Sequence, residues 1–436
     1  MKMIVLATII VLFNTSVLCA GDWDRFRGPN GSGTIDGPMP PSQWSSEKNL
    51  KWKAPLIGKG SSSPIVSGNR VFLTCYTGYG LDLKSPGKPE DLVRHLIALD
   101  RNTGKEVWRA SIASSAGEDP YKGFITQHGY ASSSPATDGK NVFVLFGKSG
   151  LFAFDRDGKQ LWQTSLGTKS DPAKWGDGSS PIIFGDLVIV DAGVLGNQFV
   201  GVNKSTGKIV WSVEDPSFTN GWATPTPVRV GEVDQILFNV PKKVIAVDPT
   251  TGKTLWSAAS PLDDAACGSI VTKDGNAYLM GSRAGHGLAI KCGGEGDVST
   301  TNTLWQTRMQ AGISTPVIVG ENFYWATGGI FFAARLSTGE YVYKQRLPRL
   351  GGPTGGFPNA DYSSPIAVGG NIVFFTRNGE SYIIKPGDEF QIVAHNPAFD
   401  GDLSAFSATP AASDGELFVR SESNLYCIGE PSNSSK

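Results

Sequence analysis

The chain has 436 residues, a formal net charge of −1 and 18% charged residues, so neither nucleic acid nor an anionic membrane surface is favoured as a partner. Its apolar fraction of 40% is ample for a packed core, so the 54 glycines and 27 prolines signal many tight turns rather than disorder.

At the N-terminus, Met1-Lys2 is a short basic start, residues 4–13 are apolar, and residues 16–20 are small. This pattern predicts a signal peptide cleaved after Ala20, too short to persist as a transmembrane helix, and a periplasmic, secreted or cell-surface destination. Leu18 is too large for good lipid attachment at Cys19. Residues 21–49 form a Gly/Pro-rich extension, expected to lie along the fold and bury Trp23, Phe26 and Trp44.

From Leu50 onward one unit recurs at about 45 to 50 residues, the mark of a stacked or circular array. Its fullest copy runs Ala98-Leu99-Asp100 through Thr103-Gly104-Lys105 to Trp108. Others end at Trp162, Trp211 and Trp256. The apolar run is a strand, the Asp or Asn side chain caps a turn, Gly supplies positive φ, and Trp on the next strand packs against a neighbouring sheet. A second element opens each repeat: Ser62-Ser63-Pro64, Ser133-Ser134-Pro135, Ser179-Ser180-Pro181, Ala223-Thr224-Pro225, the weaker Cys267-Gly268-Ser269, Ser314-Thr315-Pro316, Ser363-Ser364-Pro365 and Ala408-Thr409-Pro410. Pro is tolerated where a strand begins, so each repeat reads as four antiparallel strands.

The expected fold is therefore all-β: an eight-bladed β-propeller over residues 50–430, with a disordered tail at 431–436. The last repeat lacks its final strand, and Leu50-Lys51-Trp52-Lys53 supplies it from the other end of the chain, closing the ring. Blades 6 and 7 are degenerate, with Tyr343 at the Trp position and Pro386-Gly387-Asp388 at the turn, so seven blades stay open as the alternative count.

The repeat unit resembles that of the pyrroloquinoline quinone (PQQ)-type propellers, which include quinoprotein alcohol dehydrogenases and BamB of the outer-membrane assembly machinery. Trp23-Asp24-Arg25-Phe26-Arg27-Gly28-Pro29-Asn30-Gly31-Ser32-Gly33, Gly129-Tyr130-Ala131-Ser132 and Leu425-Tyr426-Cys427-Ile428-Gly429 are similar to a subgroup of secreted PQQ-like proteins of planctomycete-type bacteria. The resemblance implies the fold, not an activity. The dehydrogenases share a vicinal Cys-Cys disulfide, a calcium site and a catalytic Asp. This chain has no Cys-Cys, and its four later cysteines (Cys75, Cys267, Cys292, Cys427) read as small apolar strand residues.

Loops leading into the innermost strands surround one mouth of the central channel. They carry His128, Tyr130, Lys174, Trp175, Asp177, Asn220, Trp222, Asp263, Asp264, Asn359, Asp361 and Tyr362, a mixture of aromatic planes and hydrogen-bonding groups. Arg283 and His286 occupy a hairpin of blade 5 facing the same way. The other reading is that the tryptophans cap the core and the polar groups are solvated. No histidine pair has metal-ligand spacing, so no metal is expected. The insertion between Tyr76 and Leu92 reads as a mobile lid or contact loop.

These readings favour a binding scaffold of the bacterial envelope, BamB-like, with an envelope protein or a polar ligand such as a glycan at the mouth and no cofactor. The alternative is a PQQ- and calcium-dependent oxidoreductase of alcohols or sugars; a third is a carbohydrate-processing enzyme using the mouth carboxylates.

Overall fold

The computed structural model describes residues 21–114, 117–262, 265–281, 285–350 and 361–430. The signal peptide and tail expected from the sequence, and four candidate residues (Asp263, Asp264, Arg283 and Asn359), lie outside these.

The sheets are the expected eight. Blade 1 consists of Ile65–Ser67, Arg70–Thr77, Val93–Asp100 and Glu106–Ala113, from the axis outward, and the pattern repeats to blade 7. Blade 8 has Ala411–Ser413, Glu416–Arg420 and Asn424–Ile428, and its outer strand is Leu50–Pro55, antiparallel to Asn424–Ile428. The count is eight, and the N-terminal strand closes the ring.

Both sequence elements prove to be joints between blades. In the turn of blade 1, Asp100 Oδ1 accepts the amides of Asn102 and Thr103 at 3.1 and 3.0 Å. Gly104 there has φ 68°, and a Cβ on it would lie 2.5 Å from the Trp52 ring of blade 8. Only Gly allows that approach. The same Trp52 donates its indole N–H to Arg101 O at 2.8 Å, and Trp108, Trp162, Trp211 and Trp305 repeat the bond onto the next blade at 2.7–3.0 Å. Trp256 is the exception: blade 5 replaces the Thr-Gly-Lys turn with an excursion through Gly296–Asp297, and the indole turns to Gln235 Oε1 at 2.7 Å. Tyr343 of blade 6 meets Phe390 of blade 7 edge-on instead.

The Ser/Thr-Pro element makes the second joint. The hydroxyl before each proline, or its counterpart Ser269, accepts the corresponding backbone amide of the preceding blade. The order is Ser63 to Ser134, Ser180, Thr224, Ser269, Thr315, Ser364, Thr409 and back to Ser63, every step between 2.8 and 3.2 Å. A closed circle of eight hydrogen bonds thus surrounds the channel.

The N-terminal extension crosses the channel on one side of this circle. Trp23 exchanges both backbone bonds with Val66 of blade 1, and Thr34–Ile35 pairs in parallel with Ile366–Val368 of blade 7. Between them the Arg27 guanidinium, fully buried, donates to five carbonyls: Gly31, Ser32, Thr315, Pro316 and Pro365. Burial without a carboxylate pulls its pKa down to about 9, which still leaves it a cation at neutral pH. Trp23 and Trp44 are buried as expected, whereas Phe26 is only half-buried; Arg27 takes the central position instead. The Tyr76–Leu92 insertion is anchored at its start, where Tyr79 is buried against Tyr121 and Tyr130 and accepts the Tyr121 amide at 2.8 Å, while residues 81–91 are largely exposed.

Arg27→Met keeps the bulk but strands three buried carbonyls, of Thr315, Pro316 and Pro365, and two half-buried ones. It is expected to destabilise the protein by about 3 kcal/mol. An unchanged urea midpoint would show that the extension merely rests on the ring.

Candidate functional site

On the face opposite the extension lies a cup of about 250 Å³. Its floor has a simple origin. Each blade contributes the residue two positions before its circle hydroxyl: Ser61, Ser132, Gly178, Trp222, Cys267, Ile313, Tyr362 and Ser407. Phe124, His128 and Trp175 complete the wall. The floor is lopsided. Blades 8, 1, 2 and 3 give hydroxyls and a glycine; blades 4, 6 and 7 give bulk. No described lining residue is an Asp, Glu, Lys or Arg.

Trp222 donates its indole N–H to Gly176 O at 2.7 Å and stacks on Trp175, with ring centres 5.1 Å apart at 29°. Phe124 packs tilted against Trp175, with ring centres 4.7 Å apart at 45°. His128 pairs Nδ1 with Ser132 Oγ at 2.6 Å, and its carbonyl accepts Ser61 Oγ–H at 3.0 Å. Burial pulls the His128 pKa down to about 4, so its imidazole is neutral under ordinary conditions. The Tyr362 phenol, pushed up to about 12 by burial, and Ser407 Oγ are buried with no hydrogen-bond partner among the described residues.

Phe124 sits on a strap, residues 117–130, that links blades 1 and 2 and crosses the rim. Two buried ion pairs fasten it: Glu118 takes a two-pronged contact from Arg94 at 2.7 and 2.9 Å, and Asp119 meets Lys148 at 3.2 Å. Farther along, Gln127 O accepts Arg377 Nη2–H at 2.9 Å, tying the strap to blade 7.

Of the candidate residues, then, His128, Trp175, Trp222 and Tyr362 share the cup. Tyr130 does not: its hydroxyl donates to Asp119 O at 2.6 Å inside the tyrosine cluster. Asp361 is buried behind Tyr362 and accepts the Arg377 amide at 3.1 Å. Lys174 is exposed, Asn220 occupies a turn whose carbonyl accepts the Ala266 amide, and His286 pairs across from Arg308 in blade 5. Asp177 lines a separate, closed pocket beside Arg94, Glu118, Asp119 and Lys148. Reasoning from sequence missed Ser61, Ser132, Cys267, Ile313 and Ser407, although their fixed offset from the Ser/Thr-Pro element was visible. Phe124 is signalled only by the extra length between blades 1 and 2. Cys267 also departs from the strand placement expected of it.

Against this geometry the comparisons are informative. The family model for outer membrane protein assembly factor BamB matches residues 93–345, more than half of the chain. The chain belongs to that family. Quinoprotein alcohol dehydrogenase PedH of Pseudomonas putida is 29% identical over 276 residues, which cover 56% of this chain and 44% of that protein. Quinoprotein ethanol dehydrogenase of Pseudomonas aeruginosa is 31% identical over 145 residues, 30% of this chain and 23% of that protein. The chain thus spans less than half the length of either relative. Among solved structures, BamB from Moraxella catarrhalis aligns over 89% of this chain and 97% of its own, with TM-score 0.53 and 15% identity. A europium-containing methanol dehydrogenase aligns over 94% and 98%, with TM-score 0.67 and 11% identity. These two likenesses show the fold.

The closed pocket yields a pH prediction. Burial pushes Asp177 up to about 7; Arg94 opposes the rise, and Glu118 and Asp119 add to it. A carboxyl whose folded pKa exceeds its usual 3.8 binds more protons when folded, so stability falls as pH climbs from about 4 to 7. Asp177→Asn removes that penalty, and its melting advantage over the wild type should grow between about pH 5 and pH 7.5, by on the order of 2 kcal/mol. His128 has the opposite sign but is common to both proteins. A pH-independent difference would refute the buried-acid reading.

Proposed function

We propose that this BamB-family propeller is a binding scaffold of the bacterial envelope, periplasmic or cell-surface, whose channel mouth takes a ligand or a partner's protruding group. The carrying observation is the cup: aromatic planes and hydroxyls at five of the eight equivalent blade positions, beneath a latched strap. Such a site suits recognition, because it holds shape and hydrogen-bonding groups, with no carboxylate among its described lining residues. The expected envelope destination rests on the N-terminal sequence and on the family.

A second reading is favoured by the sequence relatives, which are quinoprotein dehydrogenases. PQQ is flat and carries three carboxylates, so its holder needs planar walls and cationic partners. The cup supplies aromatic surface, but the described lining offers no cation and a single thiol, Cys267, rather than a vicinal pair. Arg377 is near: its guanidinium lies against the Tyr362 ring at 4.7 Å and Nη2 donates to Gln127, while Nε and Nη1 have no partner among the described residues; it is a lone cation outside the lining, against the three carboxylates of PQQ. The described residues do not fit the group.

Titration of metal-stripped protein with PQQ and calcium, followed by absorbance and melting temperature, separates the readings. The scaffold reading expects no saturable binding. A clear stabilisation would instead carry the oxidoreductase.

A further inference from the structure

The reading of the mouth as a binding site can be taken one step further, to the class of its ligand. We infer that the cup receives a single neutral sugar ring, the terminal or side residue of an uncharged glycan; this rests on the scaffold reading above.

Four features point the same way. The first is charge. With His128 held neutral, no ionised side chain stands among the described lining residues themselves, so a charged ligand would be desolvated in the cup with no direct ion-pair partner; Arg377, 4.7 Å from the Tyr362 ring, is outside that lining. The second is the form of the aromatic surface. Trp175 and Trp222 stack directly on each other at 5.1 Å, which leaves no room for a flat cofactor between them, and Phe124 packs tilted against Trp175. Aromatic surface of this kind suits a ring with an apolar C–H side and polar edges.

The third is the position of the polar groups. Ser61, Ser132 and Ser407 lie on the arc of the floor supplied by blades 8, 1 and 2, while Trp222 and Tyr362 stand on blades 4 and 7. A pyranose resting on the aromatic side would turn its hydroxyl edge toward the serines. Ser407 is 7% exposed and its Oγ has no hydrogen-bond partner among the described residues, and hydroxyl rotors adapt readily to either donors or acceptors. The fourth is size: about 250 Å³ is below the ~300–1,000 Å³ of sites for drug-sized molecules, which favours one ring over an extended chain.

The extension adds directionality. It crosses the channel beneath the hydroxyl circle, so a glycan reaches the cup from the strap side. The strap's Phe124 then lies over the site, and opening must strain the contacts of Glu118, Asp119 and Gln127.

The test is a calorimetric titration of the full mature chain with neutral gluco-, xylo- and N-acetylglucosamine oligosaccharides, with galacturonate oligomers as the acidic comparison. At least one neutral series should bind saturably and the uronates should not. Trp222→Ala should weaken that binding by about tenfold or more. Ser407→Ala, a milder change, checks the polar edge if Trp222→Ala alters the melting temperature, and should also weaken binding. Absence of binding by every neutral series, equal binding of uronates, or retention of affinity in both variants overturns the inference. PQQ binding would overturn the scaffold reading itself. Failure of both PQQ and glycans removes only the sugar and leaves a protein group as occupant.

Discussion

Everything in this molecule hangs on a circle of eight hydrogen bonds. A propeller blade is a small sheet that cannot bury both faces alone, so its stability comes from its two neighbours. The circle joins each blade to the next at the axis, through a side-chain hydroxyl and a backbone amide, while the Trp-on-Gly contacts join them farther out. Because the ring of strands both starts and closes in blade 8, the last of these bonds, from the Thr409 amide to Ser63 Oγ, connects segments 346 residues apart. The geometry of a closed ring leaves no exposed sheet edge between blades.

The circle also divides the channel. Residues at or after it belong to the side plugged by Arg27 and the N-terminal extension; residues two positions before it form the cup. A buried guanidinium without a carboxylate is a costly object, and here five carbonyls at the start of inner strands and in the extension's own turn offset that cost. One end of the channel is thereby committed to structure and the other is left for recognition. Repetition explains how such a site can change: eight equivalent floor positions are free to vary without disturbing the bonds that hold the ring, and in this chain they carry small hydroxyls on one arc and bulk on the other.

The fold was legible because its instructions are local and repeated. Asp-x-x-Thr-Gly-Lys-x-x-Trp encodes a turn and its contact with the next blade in one stretch, and the eight strand-start elements carry the count through the degenerate blades 6 and 7. Ser269, in the weakest copy, still takes its place in the circle. The site was less legible. Trp222 and Tyr362 stand out by residue type, but Ser61 and Ser407 look like ordinary serines until the ring places them side by side. Tyr130 and Asp177 face away from the mouth because the strap, whose path no periodic pattern dictates, draws them into the tyrosine cluster and the ion-pair pocket. Arg27 was missed for a related reason: a charged residue is expected at the surface, and only the convergence of carbonyls from distant strands makes its burial tolerable.

The most direct measurement of the central claim is native-state hydrogen exchange at the eight circle amides, those of Ser63, Ser134, Ser180, Thr224, Ser269, Thr315, Ser364 and Thr409. If the circle holds the ring as one cooperative unit, all eight exchange only with global unfolding and share a single free energy of opening. Separate values, with the amides flanking blade 8 exchanging well before the rest, would contradict the account and show a ring that opens at its seam.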